Sequence, residues 1–243
     1  MPLNEKLSAI WLLIQSSSIP WLMLTLFAYA LAMKLYKASN FNPIVNPVII
    51  SIIITIATLL LLGISYEQYF NGGRFIHYLL GPATVALAIP LYQQLHRIKK
   101  MLLPIVITLI SSVVIGAFSA IYIADLLGAS ASTLLSIAPK SVTTPVAMGI
   151  SENIGGIVSL TAGLAATTGI LGAIMGTKVF SLMKVEDDAV KGVAMGLTSH
   201  GIGTARAFQV SNEMGAFSGL AMALTAFTTA FLLPYLLQLT GML

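Results

Sequence analysis

The chain has 243 residues, of which 57% are hydrophobic and only 8% charged, with a mean hydropathy of +0.94. A soluble domain carries about 25% charged residues, so the composition excludes a water-soluble enzyme with an ordinary surface. The chain contains no cysteine, which removes disulfides, thiolate metal sites and cysteine nucleophiles. The net charge of +4 is dispersed into short loops between apolar stretches, a membrane-topology pattern that argues against a nucleic-acid partner.

In chain order, residues 1–18 carry Lys6 and then an apolar run without a small-residue cleavage site. They read as a retained interfacial helix with Trp11 at headgroup level. Apolar spans are expected near 20–36, 46–65, 102–127, 156–180 and 215–239, each close to the roughly 20 residues that cross a bilayer. Between them, 75–95, 131–153 and 190–212 are apolar but interrupted by Gly, Pro, Ser and Thr. The expected fold is therefore an all-α polytopic transmembrane protein with broken or re-entrant helices, one integral membrane domain over 1–243 in contact with lipid. Non-helical backbone at membrane depth is tolerated only where protein buries it or where it lines a cavity, so the broken segments are the candidate site.

Basic residues orient the chain. Lys34 and Lys37, then Arg97, Lys99 and Lys100, then Lys178, Lys184 and Lys191 form three groups expected in the cytoplasm. The segment 75–95 must then cross inward, and 131–153 must begin and end outside. The parity of 190–212 and the side of the C-terminus stay open. Glu186, Asp187 and Asp188 read as a solvated turn. At an offset of 60 residues, "TTPVAMGISENIGGIVSL" aligns with "GTARAFQVSNEMGAFSGL", pairing Thr144 with Thr204, Ser151 with Ser211 and Gly155 with Gly215. This suggests an internal repeat of a broken segment followed by a span.

Three segments carry polar chemistry. In "PKSVTTP", two prolines free backbone groups from helical pairing beside Lys140, Ser141, Thr143 and Thr144. Lys140 either faces a polar ligand or snorkels to the surface, and the hydroxyls either bind or bond back to their own helix. In "SHGIGTAR", Ser199, His200, Gly201, Gly203, Thr204 and Arg206 lie in a stretch apolar enough for the membrane, where an ionisable group is costly and points to function. A half-helix starting near Thr204 would aim amides at an anion, and Arg206 would hold a carboxylate bidentately. The structural alternatives are pairing of Arg206 with Glu213 or Glu152 and a satisfied bond for His200. In "GPATVALAIP", Thr84 between Pro82 and Pro90 offers a partner wall or a kinked scaffold. Paired catalytic carboxylates, nucleophile elbows, phosphate loops and metal-binding His pairs are missing from the sequence, so neither an enzyme nor a metal or cofactor is expected.

"PKSVTTPVAM", "TGILGAIMG" with "GTKVF", "SHGIGTARAF" and "GAFSGLAMAL" together resemble the LrgB/CidB family. These are the antiholin-like membrane proteins, which include YohK-type proteins and half of the plastid glycolate/glycerate translocator. "NPVIISIII", "GISYEQYFNGG" and "LLGPATVALAIPLYQQL" extend the resemblance upstream to about Leu35. It implies a bacterial inner (cytoplasmic) membrane location and one of two functions. One is transport of small organic acids such as glycolate, glycerate or pyruvate, with proton coupling. The other is modulation of an LrgA/CidA-type holin-like partner and hence of murein hydrolase export and lysis. No LrgA-like half is fused to this sequence, which raises the need for a separate partner subunit. Cations beside broken helices favour a carrier of a small carboxylate with alternating access. Small-xxx-small pairs such as Gly172–Gly176 and Gly215–Gly219 allow close packing within a protomer or in a homodimer.

Overall fold

The computed structural model describes residues 17–86 and 88–243. All but the last two positions of the expected interfacial helix over 1–18 lie outside them. The described chain is helical throughout and divides into two compact units, Met1–Ala86 and Leu87–Leu243. Four described helices are long and apolar enough to cross a membrane.

The first unit contains α1 (Ile19–Ala38), a 3-10 turn (Pro43–Val45), α2 (Pro47–Leu62) and α3 (Tyr66–Ala86). Asn46 caps α2 through its side chain, with Pro47 at the first helical position, and Gly63 ends it in the left-handed conformation, as helix-terminus chemistry predicts. Helix α1 buries one stripe, Trp21, Ala28, Ala32 and Tyr36. It packs against α3 where a Cβ on Gly72 would fall 2.3 Å from the Ser18 carbonyl oxygen. Only a glycine permits that approach.

The second unit contains α4 (Ala88–Gln93), α5 (Leu95–Lys100), α6 (Leu102–Leu126), α7 (Ala131–Ile137), α8 (Thr144–Ile154), α9 (Val158–Leu182), α10 (Asp188–Val210) and α11 (Asn212–Leu239). Among the described residues, interruptions fall within 131–153 and 190–212, and a turn at Gln94 falls near the end of 75–95. Within 75–95, α3 carries Pro82 inside it and the short α4 ends before Gln94. Over 131–153, α7 and α8 flank non-helical residues 138–143, and Gly155 terminates α8 in the left-handed region. Over 190–212, α10 is interrupted at His200, whose φ of 39° and ψ of −131° are non-helical.

Contacts show that both interrupted segments are hairpins. In α10, a Cβ on Gly203 would meet Ser199 at 2.4 Å, Met195 clusters with Ala207, and the Ser211 hydroxyl donates to Asp188 at 2.7 Å. These pairs are nearly symmetric about His200, so residues 188–199 enter and residues 201–210 return to the same end. We call this hairpin 2. In hairpin 1, Ile157 N donates to Ser136 Oγ at 2.7 Å, and Thr161 Oγ1 donates to the Ser136 carbonyl at 2.9 Å. The end of α7 thus lies beside the end of α8 and the start of α9, leaving residues 138–143 as the tip.

The hairpins enter from opposite ends. Helix α6 packs Ile105 and Leu109 against hairpin 2 but Val113, Ala117 and Ile121 against hairpin 1; α11 gives Phe217 and Ala221 to the former, Leu233 and Leu237 to the latter. At 1.5 Å per residue, the helical arms are about 10 Å long for α7 and about 15–18 Å for the other three, too short to cross a hydrocarbon core of about 30 Å. Each hairpin is followed by a long helix, α9 or α11, so the internal repeat is present as an inverted pair of hairpin-plus-span units.

Hairpin 2 opens at the end of the unit that carries Arg97, Lys184 and Lys191, because Arg97 bonds both Asp187 and Glu213 there. The parity left open by the sequence is thereby fixed: segment 190–212 starts and finishes at the basic end. Asp187 and Asp188 are also more than a solvated turn. Asp187 caps α10 at Ala189 N and Val190 N, and Asp188 joins Lys191 and Ser211.

Candidate functional site

Helix α9 is the element on which both tips converge. The Ala165 side chain is fully buried in the apolar cluster of hairpin 1, with Ala138, Val142 and Ala147. The carbonyl of the same residue lies 2.9 Å from His200 Nε2 at the apex of hairpin 2. A carbonyl only accepts, so Nε2 carries the proton and Nδ1 of the neutral ring is left as an acceptor. A Cβ on Gly169, one turn further along α9, would stand 2.6 Å from the His200 ring, and one on Gly172 would stand 1.7 Å from Ser199 Oγ. Glycine at both positions lets hairpin 2 lie directly on α9.

At the apex of hairpin 2, Ser199, His200, Gly203 and Thr204 are buried and Gly201 is half-buried. Thr204 Oγ1 donates to the His200 carbonyl at 2.8 Å and lies 2.9 Å from Ser218 Oγ of α11. Ser199 Oγ is 3.1 Å from Thr198 Oγ1, and both line a cavity of about 330 Å³ against α9 that also contains Thr168. At the tip of hairpin 1, the half-buried Lys140 donates to Ser141 Oγ at 3.2 Å, and Ser141 faces Gly116 in the middle of α6. Thr143 is the N-cap residue of α8 without a side-chain cap bond, and Thr144 opens that helix.

The structure shifts two sequence expectations. The returning half-helix starts at Gly201, since the break falls on His200; Arg206 therefore sits in its second turn and not beside its first free amides. Arg206 is half-buried and donates from Nη1 to Gln209 Oε1 at 3.1 Å. Glu213, considered as its structural partner, pairs with Arg97 instead, and Glu152 is exposed. Thr84 falls within α3, and its side chain lies outside the described residues. Three glycines of the small-xxx-small pairs have close neighbours in the same chain: Gly172 and Gly176 face Ser199 and Met195, and Gly215 faces Phe208.

Sequence reasoning missed the Ala165 carbonyl, a backbone group with no side-chain signature, and the Arg97–Asp187–Glu213 cluster. Arg97 had a complete explanation as a topology signal, which hid its pairing. Among the described residues, no cluster of three or more metal-ligating side chains occurs.

Paired hairpins entering from opposite ends, apolar spans and hydroxyl-rich tips define a multi-pass helical membrane protein with a buried polar centre. Residues 25–239 match the family model described as LrgB-like. A protein of Bacillus subtilis named "Uncharacterized protein YxaC" is 36% identical over 90% of this chain and 94% of its own. The "Holin-like protein CidB" of Staphylococcus epidermidis is 33% identical over 98% of this chain and 99% of its own. That of Staphylococcus aureus is also 33% identical, over 90% and 95%. No solved structure matches the chain. The chain belongs to the LrgB-like family.

Proposed function

We propose that the chain is a carrier of small organic acid anions, of glycolate, glycerate or pyruvate type, in the bacterial cytoplasmic membrane. The observation that carries the reading is the convergence of two oppositely inserted hairpin tips on Ala165 of α9. Interrupted helices from inverted repeats that meet near the midplane are the recurrent architecture of secondary transporters, with the site at the repeat interface. Lys140 brings a point charge and Arg206 a forked donor to the anion. Ser141, Thr143, Thr144, Ser199 and Thr204 contribute hydroxyls, and Gly201 and Gly203 leave backbone accessible. Thr84 is retained as a candidate on the strength of the sequence alone. His200, with an acceptor at Nδ1, is the candidate for a coupling proton. Alternating access follows from exposing this centre first at one end and then at the other. We assign no enzymatic step to the protein.

Binding of glycolate to purified protein, followed by calorimetry, tests the site. Arg206→Ala and Lys140→Gln abolish binding while unfolding cooperatively like the parent. Retained binding in both variants removes the charged pair from the site, and an unfolded Arg206→Ala protein assigns that residue to structure.

The relatives' names favour a second reading and back it more directly than any comparison backs transport. Two of them are called holin-like over nearly the full length. In that reading the chain modulates lysis together with an LrgA/CidA-type membrane partner. Carrier activity that appears only after such a partner is added unites the two readings; lysis control without any uptake establishes the second alone.

A further inference from the structure

The strongest cluster of charges in the second unit has no part in the site above. Arg97, on the short α5, reaches from Nη2 to Asp187 Oδ2 at 2.6 Å and from Nη1 to Glu213 Oε1. Its guanidinium also lies 5.9 Å from the centre of the Phe217 ring. Asp187 is the N-cap of the entering arm of hairpin 2, and Glu213 stands in the first turn of α11. One side chain thus ties α5, and through it α6, to the base of the hairpin and to the helix that follows.

The entering arm is gripped unevenly. Against α11 it is seated by backbone approach, since a Cβ on Gly192 or Gly196 would fall 2.4 Å from the Met214 carbonyl oxygen or 2.2 Å from that of Ser218. Hairpin 2 and α11 therefore form one body. Toward α9 it is in close contact near its tip, at Gly172 and Gly176, and toward α6 it packs through Val193 and Leu197, but a cavity opens on each of these sides. A cleft of about 270 Å³ separates it from α6 between Pro104, Thr108, Val190 and Val193. A cavity of about 440 Å³, reaching Phe180 and Lys184, separates its base from α9. Among the described hydrogen bonds, the only one between α9 and hairpin 2 is His200 to Ala165. Toward α6 the contact is apolar packing alone, closed at the basic end by Arg97.

We propose that Arg97 is the latch of a cytoplasmic gate, bridging Asp187 and Glu213 to hold hairpin 2 and α11 against α5 and α6, so that its release opens the cleft beside Val193. A guanidinium fork suits this task, because two carboxylates on separate elements are engaged by one rigid plane. The charges are partly solvated, so the latch is weak enough to open on a transport timescale and weakens with salt. Asp188, Lys191, Lys184 and Glu186 lie at the same end; Asp188 is held by Ser211 and Lys191 within the moving body and does not bridge the cleft. The inference gives the carrier reading its cytoplasmic gate, yet it is measured without substrate, so either can fail alone.

The chain has no native cysteine, which makes a single introduced thiol an unambiguous reporter. Val193→Cys, which is 7% exposed and packs against α6, is labelled with a charged thiol reagent from the cytoplasmic side of inside-out vesicles. Ile154→Cys, 3% exposed at the opposite end in hairpin 1, is labelled with the same reagent in right-side-out vesicles as the control for general loosening. With Arg97→Gln, labelling at position 193 accelerates about tenfold, labelling at 154 is unchanged, and Arg97→Lys falls between parent and Gln. The exchange Arg97→Glu with Glu213→Arg returns the rate toward the parent. Unchanged labelling at 193 in Arg97→Gln overturns the latch, and equal acceleration at 193 and 154 overturns it in favour of a purely structural tie.

Discussion

Thr204 shows how much of the centre rests on single hydroxyls. Its Oγ1 donates to the His200 carbonyl and lies within hydrogen-bond distance of Ser218 Oγ of α11. Thr204→Val keeps the shape but strands buried polar groups, at a cost of about 1–3 kcal/mol. The midpoint of thermal or denaturant unfolding falls accordingly, and glycolate affinity falls less than it does in Arg206→Ala. At the basic end, Asp188 has its carboxyl held below the usual carboxylate range, first by the Ser211 hydroxyl and then by the Lys191 ammonium. A depressed folded pKa stabilises the fold above the unfolded carboxylate value and loses that contribution as pH falls through the folded value. Stability therefore declines on the acid side of about pH 4, and Asp188→Asn flattens that limb. The effect is small because the carboxylate is partly solvated.

At the scale of elements, glycine spacing decides how closely the helices approach. A Cβ on Gly196 would press on a backbone carbonyl, that on Gly172 on a serine side chain able to rotate, and that on Gly163 would meet nothing within 4 Å. We expect Gly196→Ala to destabilise most, by about 1–3 kcal/mol of overpacking. Gly172→Ala costs less, and Gly163→Ala is neutral or slightly stabilising through helix propensity. Equal unfolding midpoints for the three variants would refute the packing described. The helices and their interruptions were legible in the sequence, because apolar run length sets span and Pro, Gly and capping residues set ends: Asn46–Pro47 and Gly155 do what their chemistry dictates. The exact break was less legible. A histidine at positive φ has no propensity signal, and "SHGIGTAR" offers two glycines that are better local candidates than His200. Tertiary contact with α9 decided the matter.

For the molecule as a whole, the sequence placed hairpin 1 by charge and left hairpin 2 undetermined, since parity needs the pairing of residues far apart in the chain. Ser211 with Asp188, and Arg97 with Asp187 and Glu213, supply it. With both hairpins oriented, the repeats at an offset of 60 residues become an inverted pair, and Ser199 and His200 of hairpin 2 meet the same α9 against which Ala138, Val142 and Ala147 of hairpin 1 pack. Cost arguments about polar groups in lipid single out residues such as Lys140, Ser141, Ser199 and His200, which fall at the tips. The backbone acceptor that holds His200 was invisible to such arguments.

The most direct measurement of the central claim is uptake of labelled glycolate, glycerate and pyruvate by proteoliposomes containing this protein alone, with and without a pH gradient, beside Arg206→Ala. Saturable uptake by the parent that is lost in the folded variant is the predicted result. Its absence in demonstrably folded parent protein, at every gradient and for all three acids, would contradict an autonomous carrier.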